Sequence, residues 1–89
     1  MLEVFPSNKF DKSIKLAKKR GKDLSKAASV VELLQKEQPL PAKFKDHQLI
    51  GNYKGTRECK IEPDWLMIYY ISDGVLYLVD TGTHSDLFD

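Results

Sequence analysis

One cysteine, two histidines and one tryptophan stand among 89 residues. A lone cysteine, Cys59, excludes an internal disulfide framework and a multi-cysteine zinc site. No apolar run approaches the roughly 18 residues that a helical membrane span needs. The stretch "MLEVFPSNKF" lacks the basic and apolar regions of a secretion signal. No repeat, linker or low-complexity tract is visible, and the length suits one domain over residues 1–89. These absences lead us to expect a reducing cytoplasm and no membrane partner.

Acidic residues are scarce in the first half and basic ones in the second. Residues 1–45 hold eleven Lys or Arg against five Asp or Glu, and residues 46–89 hold three against eight. The halves, +6 and −5, sum to the formal net charge of +1. A basic half can meet phosphates or an acidic partner, or can simply be a solvated helix face.

The pattern of apolar residues gives the elements. "LEVFP" (2–6) predicts a short strand closed by Pro6. Ser7 or Asn8 then caps a helix with Phe10, Ile14 and Ala17 on one face, and Gly21 stops it. Leu24, Ala27, Ala28, Val31 and Leu34 predict a second helix over 23–36, ended by "QPLP". Residues 42–53 read as irregular, with a strand at about 54–61 and a turn at "EPD" (62–64). "WLMIYYI" (65–71) is apolar throughout and predicts a buried central strand. "SDG" turns the chain into "VLYLVD" (75–80), and "THSDLF" (83–88) predicts one closing helical turn. The order is β-α-α-β-β-β, an α+β fold. A helical hairpin should pack on one face of an antiparallel sheet, leaving the other face free for a site.

Few side chains carry chemistry. His47 in "KDHQL" and His84 in the tail lie off the apolar stripes, so they are surface residues or parts of a site. No metal-ligand spacing joins them to Asp46 or Asp64, and neither a metal nor another cofactor is expected. Asp64 and Trp65 sit at the turn into the central strand, where the plain expectation is a turn carboxylate and a core ring. Arg57 and Lys60 have opposite parity, so an ideal strand sets them on opposite faces.

"KDHQLIGNYKGTRECKIEPDWLMIYY", followed by "TGTHSDLF", resembles the YafQ branch of the RelE/ParE toxin superfamily. "KFDKSIKLAKKRGKDL" and "PLPAKFKDH" are similar to the same branch, so nearly the whole chain is covered. The resemblance implies a RelE-like fold and a bacterial type II toxin. The activity it implies is metal-independent, ribosome-dependent cleavage of mRNA, in which the ribose 2′-OH attacks the adjacent phosphate. Its partners would be a cognate antitoxin, the ribosome and mRNA, with operator DNA reached only through the antitoxin complex.

Such chemistry needs a base, an acid and positive charge on the phosphate. By motif, the resemblance implies His84 as general acid, since a histidine ordinarily titrates near ~6.5. It implies His47 and Asp64 as residues that position or activate the 2′-OH. Lys60 joins the catalytic set as a cation, and Arg57, Phe88 and Trp65 serve substrate binding, Trp65 from a place packed beneath the site. Two residues depart from the family pattern. Lys60 stands where the branch often has histidine, and Asp80 stands where it usually has arginine before "TGTH". An aspartate facing an anionic substrate would slow the reaction, unless Arg57 or Lys60 compensates or Asp80 turns away to pair with one of them. The alternative is therefore a weakened toxin that acts as an antitoxin-binding module.

Overall fold

The computed structural model describes residues 1–89. Strand β1 (Glu3–Pro6) leads into helices α1 (Asn8–Lys19) and α2 (Leu24–Gln35). After a short 3-10 turn come β2 (His47–Gln48), a second such turn, β3 (Arg57–Glu62), β4 (Trp65–Ser72), β5 (Val75–Gly82) and the terminal helix α3 (His84–Phe88).

Local chemistry sets the helix ends. The Ser7 hydroxyl accepts the Phe10 N–H and donates to the Val79 carbonyl, so one side chain caps α1 and ties it to β5. Asp23 caps α2 by accepting the Ser25 N–H. Gly21, at φ +81°, makes the left-handed turn between the helices.

The five strands lie in the order β1-β5-β4-β3-β2. The β2–β3–β4–β5 pairs are antiparallel, as the meander requires. The sheet is not wholly antiparallel, because β1 runs parallel to β5, with Val4 opposite Leu76 and Phe5 opposite Tyr77. No hairpin joins those two strands. The helical pair and the meander lie between them, so a turn does not dictate their direction. The segment read as irregular also holds the two-residue strand β2, too short to show a period, which pairs His47 with Glu58.

One face of the sheet carries the main core. Phe10 and Ala17 of α1 and Ala27, Val30 and Leu34 of α2 pack on Cys59, Ile61, Trp65, Met67, Tyr69, Leu76 and Leu78. The opposite face is not left free. Leu66 and Ile68 are covered there by Leu87 of α3, with Leu49, Tyr53 and Val79 against them. Both of these residues are fully buried. An all-apolar central strand cannot leave one side in water, so the loop and the tail close over it. The site is thereby pushed toward the rim of that cover.

Candidate active site

The chain end is built into the fold by a capping box. Thr83 accepts the Asp86 N–H, and the Asp86 carboxylate accepts the Thr83 N–H. That starts α3 with His84 as its first residue. The tight connection from β3 to β4 presents Asp64 to the same place. Asp64 Oδ1 accepts the His84 backbone N–H at 3.0 Å and lies 2.9 Å from His84 Nδ1. A carboxylate offers only acceptors, so Nδ1 carries the proton and Nε2 is the ring atom left for a substrate. The Asp64 carboxyl is held below the usual carboxylate range, first by the His84 backbone N–H and then by its ring. Both side chains are open to solvent, 56% for His84 and 65% for Asp64.

An aromatic wall adjoins this pair. The Phe88 ring lies 6.3 Å from the His84 ring and 5.6 Å from Tyr53, edge to face. Tyr53 also donates to the Leu87 carbonyl at 3.3 Å. Phe88 is 45% exposed despite this support. It is thus a held, accessible ring rather than a frayed end.

His47 comes from the far edge of the sheet, on strand β2. Its Nδ1 lies 2.7 Å from the Lys45 carbonyl oxygen, so that nitrogen is again the donor. Its Nε2 is 3.6 Å from Glu58, a carboxylate that is 4% exposed. The neighbouring Asp46 is pinned by Arg57 Nε and Nη2 at 3.2 and 3.3 Å and by the Tyr69 hydroxyl at 2.6 Å. Burial and this contact push the Tyr69 hydroxyl pKa up. In the "KDH" motif, then, the aspartate anchors the strand that carries the histidine.

Lys60 shares its face with Glu58 two residues away, and its row continues through Leu66 to Gly82. Two strand spacings, roughly 10 Å, separate Lys60 from Gly82. Three spacings, roughly 15 Å, separate His47 from the Asp80 position in its own row. The fold therefore makes one tight contact, Asp64 with His84. It ranges Lys60 and then His47 across the same face.

Two expected substrate contacts are corrected. Trp65 is 1% exposed and belongs to the helix-side core, so it supports the turn bearing Asp64 and does not reach a substrate. Arg57 is spent on Asp46 and Tyr69, on the face opposite Lys60, as its parity foretold. A third correction concerns Asp80. It is 3% exposed and points to α1. Its Oδ1 accepts the Ser13 hydroxyl at 2.6 Å and the Thr81 N–H at 2.8 Å, and Lys9 lies 3.5 Å from Oδ2. The cause is a bulge. Two steps along β5, from Leu78 to Asp80, match one step on β4, from Tyr69 to Ile68. Neither Arg57 nor Lys60 partners Asp80; Ser13 and Lys9 do.

Sequence reading missed Tyr53 and Glu58. Glu58 was within reach, since it shares parity with Lys60 on an alternating strand. Tyr53 was not, because its contacts with the tail span 34 residues.

A family model described as "Bacterial toxin of type II toxin-antitoxin system, YafQ" matches residues 2–89. The chain is 46% identical over 83 residues to the mRNA interferase toxin YafQ of Escherichia coli strain K12, covering 92% of this chain and 90% of that one. The crystal structure of YafQ from E. coli strain BL21(DE3) superposes with a TM-score of 0.94 at 41% identity, over the whole of both chains. YafQ in the E. coli DinJ-YafQ complex gives a TM-score of 0.91 at 42% identity, also over both whole chains. The chain belongs to the YafQ family of bacterial toxins of type II toxin–antitoxin systems.

Proposed function

We propose that this chain is an mRNA interferase that cleaves mRNA on the ribosome and is silenced by a cognate antitoxin. The observation that carries the proposal is the Asp64–His84 pair, exposed at the chain end of a protein 46% identical to a named mRNA interferase toxin. Asp64 holds Nδ1 and the backbone of His84 on one oxygen, which aims Nε2 outward. From there His84, in the imidazolium form with Nδ1–H kept on Asp64, gives its Nε2 proton to the leaving 5′-oxygen. His47 acts on the 2′-OH side, taking its proton on Nε2 while the Lys45 carbonyl holds Nδ1–H, and Glu58 beside Nε2 steadies the imidazolium that results. Lys60 places a cation between the two histidines, where the phosphate gathers negative charge. Phe88 offers a face for a base to stack on.

The basic half has its own part. Lys12, Lys15, Lys18 and Lys19 are exposed on α1, and none makes an ion pair. They suit ribosomal phosphates or an acidic antitoxin. Operator DNA is reached only through the toxin–antitoxin complex. No helix is long and apolar enough to cross a membrane, and we place the protein in the cytoplasm, where its substrate is. The inward turn of Asp80 favours the active enzyme over the weakened binding module, because the carboxylate does not confront the substrate.

Induced expression in a bacterial host tests the proposal. Growth should stop on induction and resume when the cognate antitoxin is co-expressed. Unimpeded growth with soluble protein present would overturn it.

A further inference from the structure

His84 stands on a helix of five residues, too short to hold its own direction. Something outside α3 must fix it. Asp64 holds the ring and its backbone N–H, and the structure supplies a second hold that reaches from the far end of α1. Arg20, at the C-cap of that helix, donates from Nη1 to Asp86 Oδ2 at 2.6 Å and from Nη2 to Oδ1 at 3.3 Å. The two residues are 66 apart in sequence. Asp86 is also the third residue of the capping box, and its Oδ2 accepts the Thr83 N–H at 2.9 Å. One carboxylate thus serves the cap of α3 and the grip of α1 together. Arginine and the cap hold it well below the carboxylate range, at about 2.

Space has been left for this arrangement. A Cβ added to Gly82 would meet Asp86 Cβ at 2.8 Å and Oδ2 at 2.9 Å. Only glycine there lets the Asp86 side chain lie against the end of β5. Exposed ion pairs are usually weak, but a two-pronged arginine–carboxylate pair joined to a cap has a defined geometry.

We propose that Arg20 is a positioning residue for His84. Its guanidinium grips Asp86, steadies the capping box, and so keeps the His84 ring on Asp64 with Nε2 toward the RNA. Arg20 itself touches no reacting atom. The inference rests on the reading of His84 as the proton donor.

The test compares the purified chain with Arg20→Ala, Arg20→Lys and His84→Ala. Cleavage of mRNA on programmed ribosomes is measured in single turnover across ribosome concentrations. Nitrogen NMR of the imidazole reports independently whether Nδ1 of His84 carries the proton. Arg20→Ala should lower the saturating rate about ten-fold, as loss of orientation does. It should leave the half-saturating concentration within about two-fold. The His84 ring should lose its Nδ1–H preference, while the amide spectrum of the core, such as Val30 and Met67, stays in place. Arg20→Lys should recover part of both signals, since it keeps the charge and loses the fork. A higher half-saturating concentration at an unchanged rate would overturn the inference and make Arg20 an RNA contact. An unchanged ring tautomer in Arg20→Ala would overturn it too. If His84→Ala cleaves as well as the parent, the proton-donor reading fails. The NMR result still decides whether Arg20 orients the ring.

Discussion

Asp80→Asn separates two accounts of the residue that departs most from the family pattern. In the fold its carboxylate faces Ser13, Thr81 and Lys9. It precedes Gly82 by two residues, about 7 Å of strand, so a reacting phosphate near His84 would lie roughly 10 Å away. At that distance and an effective dielectric of ~20, an unpaired carboxylate opposes a phosphate by about 1.7 kcal/mol, or roughly 15-fold in rate. Pairing with Lys9 and an inward direction remove most of that. Neutralising Asp80 should therefore change ribosome-dependent cleavage by less than about three-fold. Stability should respond more. Losing charge-assisted hydrogen bonds costs about 1–2 kcal/mol. For a domain of this size that lowers the melting temperature by roughly 5–15 °C. Single-turnover cleavage and a thermal melt on one preparation give both numbers. A ten-fold or larger gain in cleavage, with an unchanged melt, would refute the inward placement.

Other consequences follow from particular contacts. The Asp86 carboxyl takes up its proton near 3.8 when unfolded and at about 2 in the fold, so its stabilisation is complete above about pH 4 and fades as pH falls toward 2. Asp86→Asn should flatten that limb of a melting curve against pH by lowering stability at neutral pH, while leaving it nearly unaltered near pH 2. Burial pushes the Cys59 thiol up to about 12, so a thiol reagent at pH 8 should label the chain only after denaturant is added. Tyr69→Phe leaves Asp46 one donor short and should cost about 1–2 kcal/mol in a chemical melt, with a fall in cleavage through a looser His47. Combined Lys15→Ala and Lys18→Ala should weaken ribosome binding and its salt dependence while the saturating rate holds, as a titration at two salt concentrations would read.

The parts of this molecule that repeat a period were legible from the chain. Phe10, Ile14 and Ala17 revealed α1, and "WLMIYYI" revealed the buried β4, because helical and strand burial leave those patterns. The parallel seat of β1 left no mark, since β5 lies some seventy residues away and no turn joins them. The two residues of β2 are too few to alternate. In the site, motif order located His47, Asp64 and His84, and the fold joined two of them. The direction of Asp80 depends on a bulge one residue long, and the hold of Arg20 on Asp86 spans 66 positions, so neither has a local signature. Trp65 stands in the same motif as Asp64, yet it is the core ring its place in the strand led us to expect. Its burial shows that motif adjacency and contact are different things.

The central claim is that His84, held by Asp64, makes this chain a ribosome-dependent mRNA interferase. Primer extension on mRNA from translating ribosomes, with the chain and its His84→Ala variant at matched folded concentrations, tests it most directly. The account predicts discrete cleavage within codons for the chain and a loss of at least 100-fold for the variant, on the order of what a general acid supplies. Equal cleavage by the two proteins, or none by a folded, ribosome-bound parent chain, would contradict it.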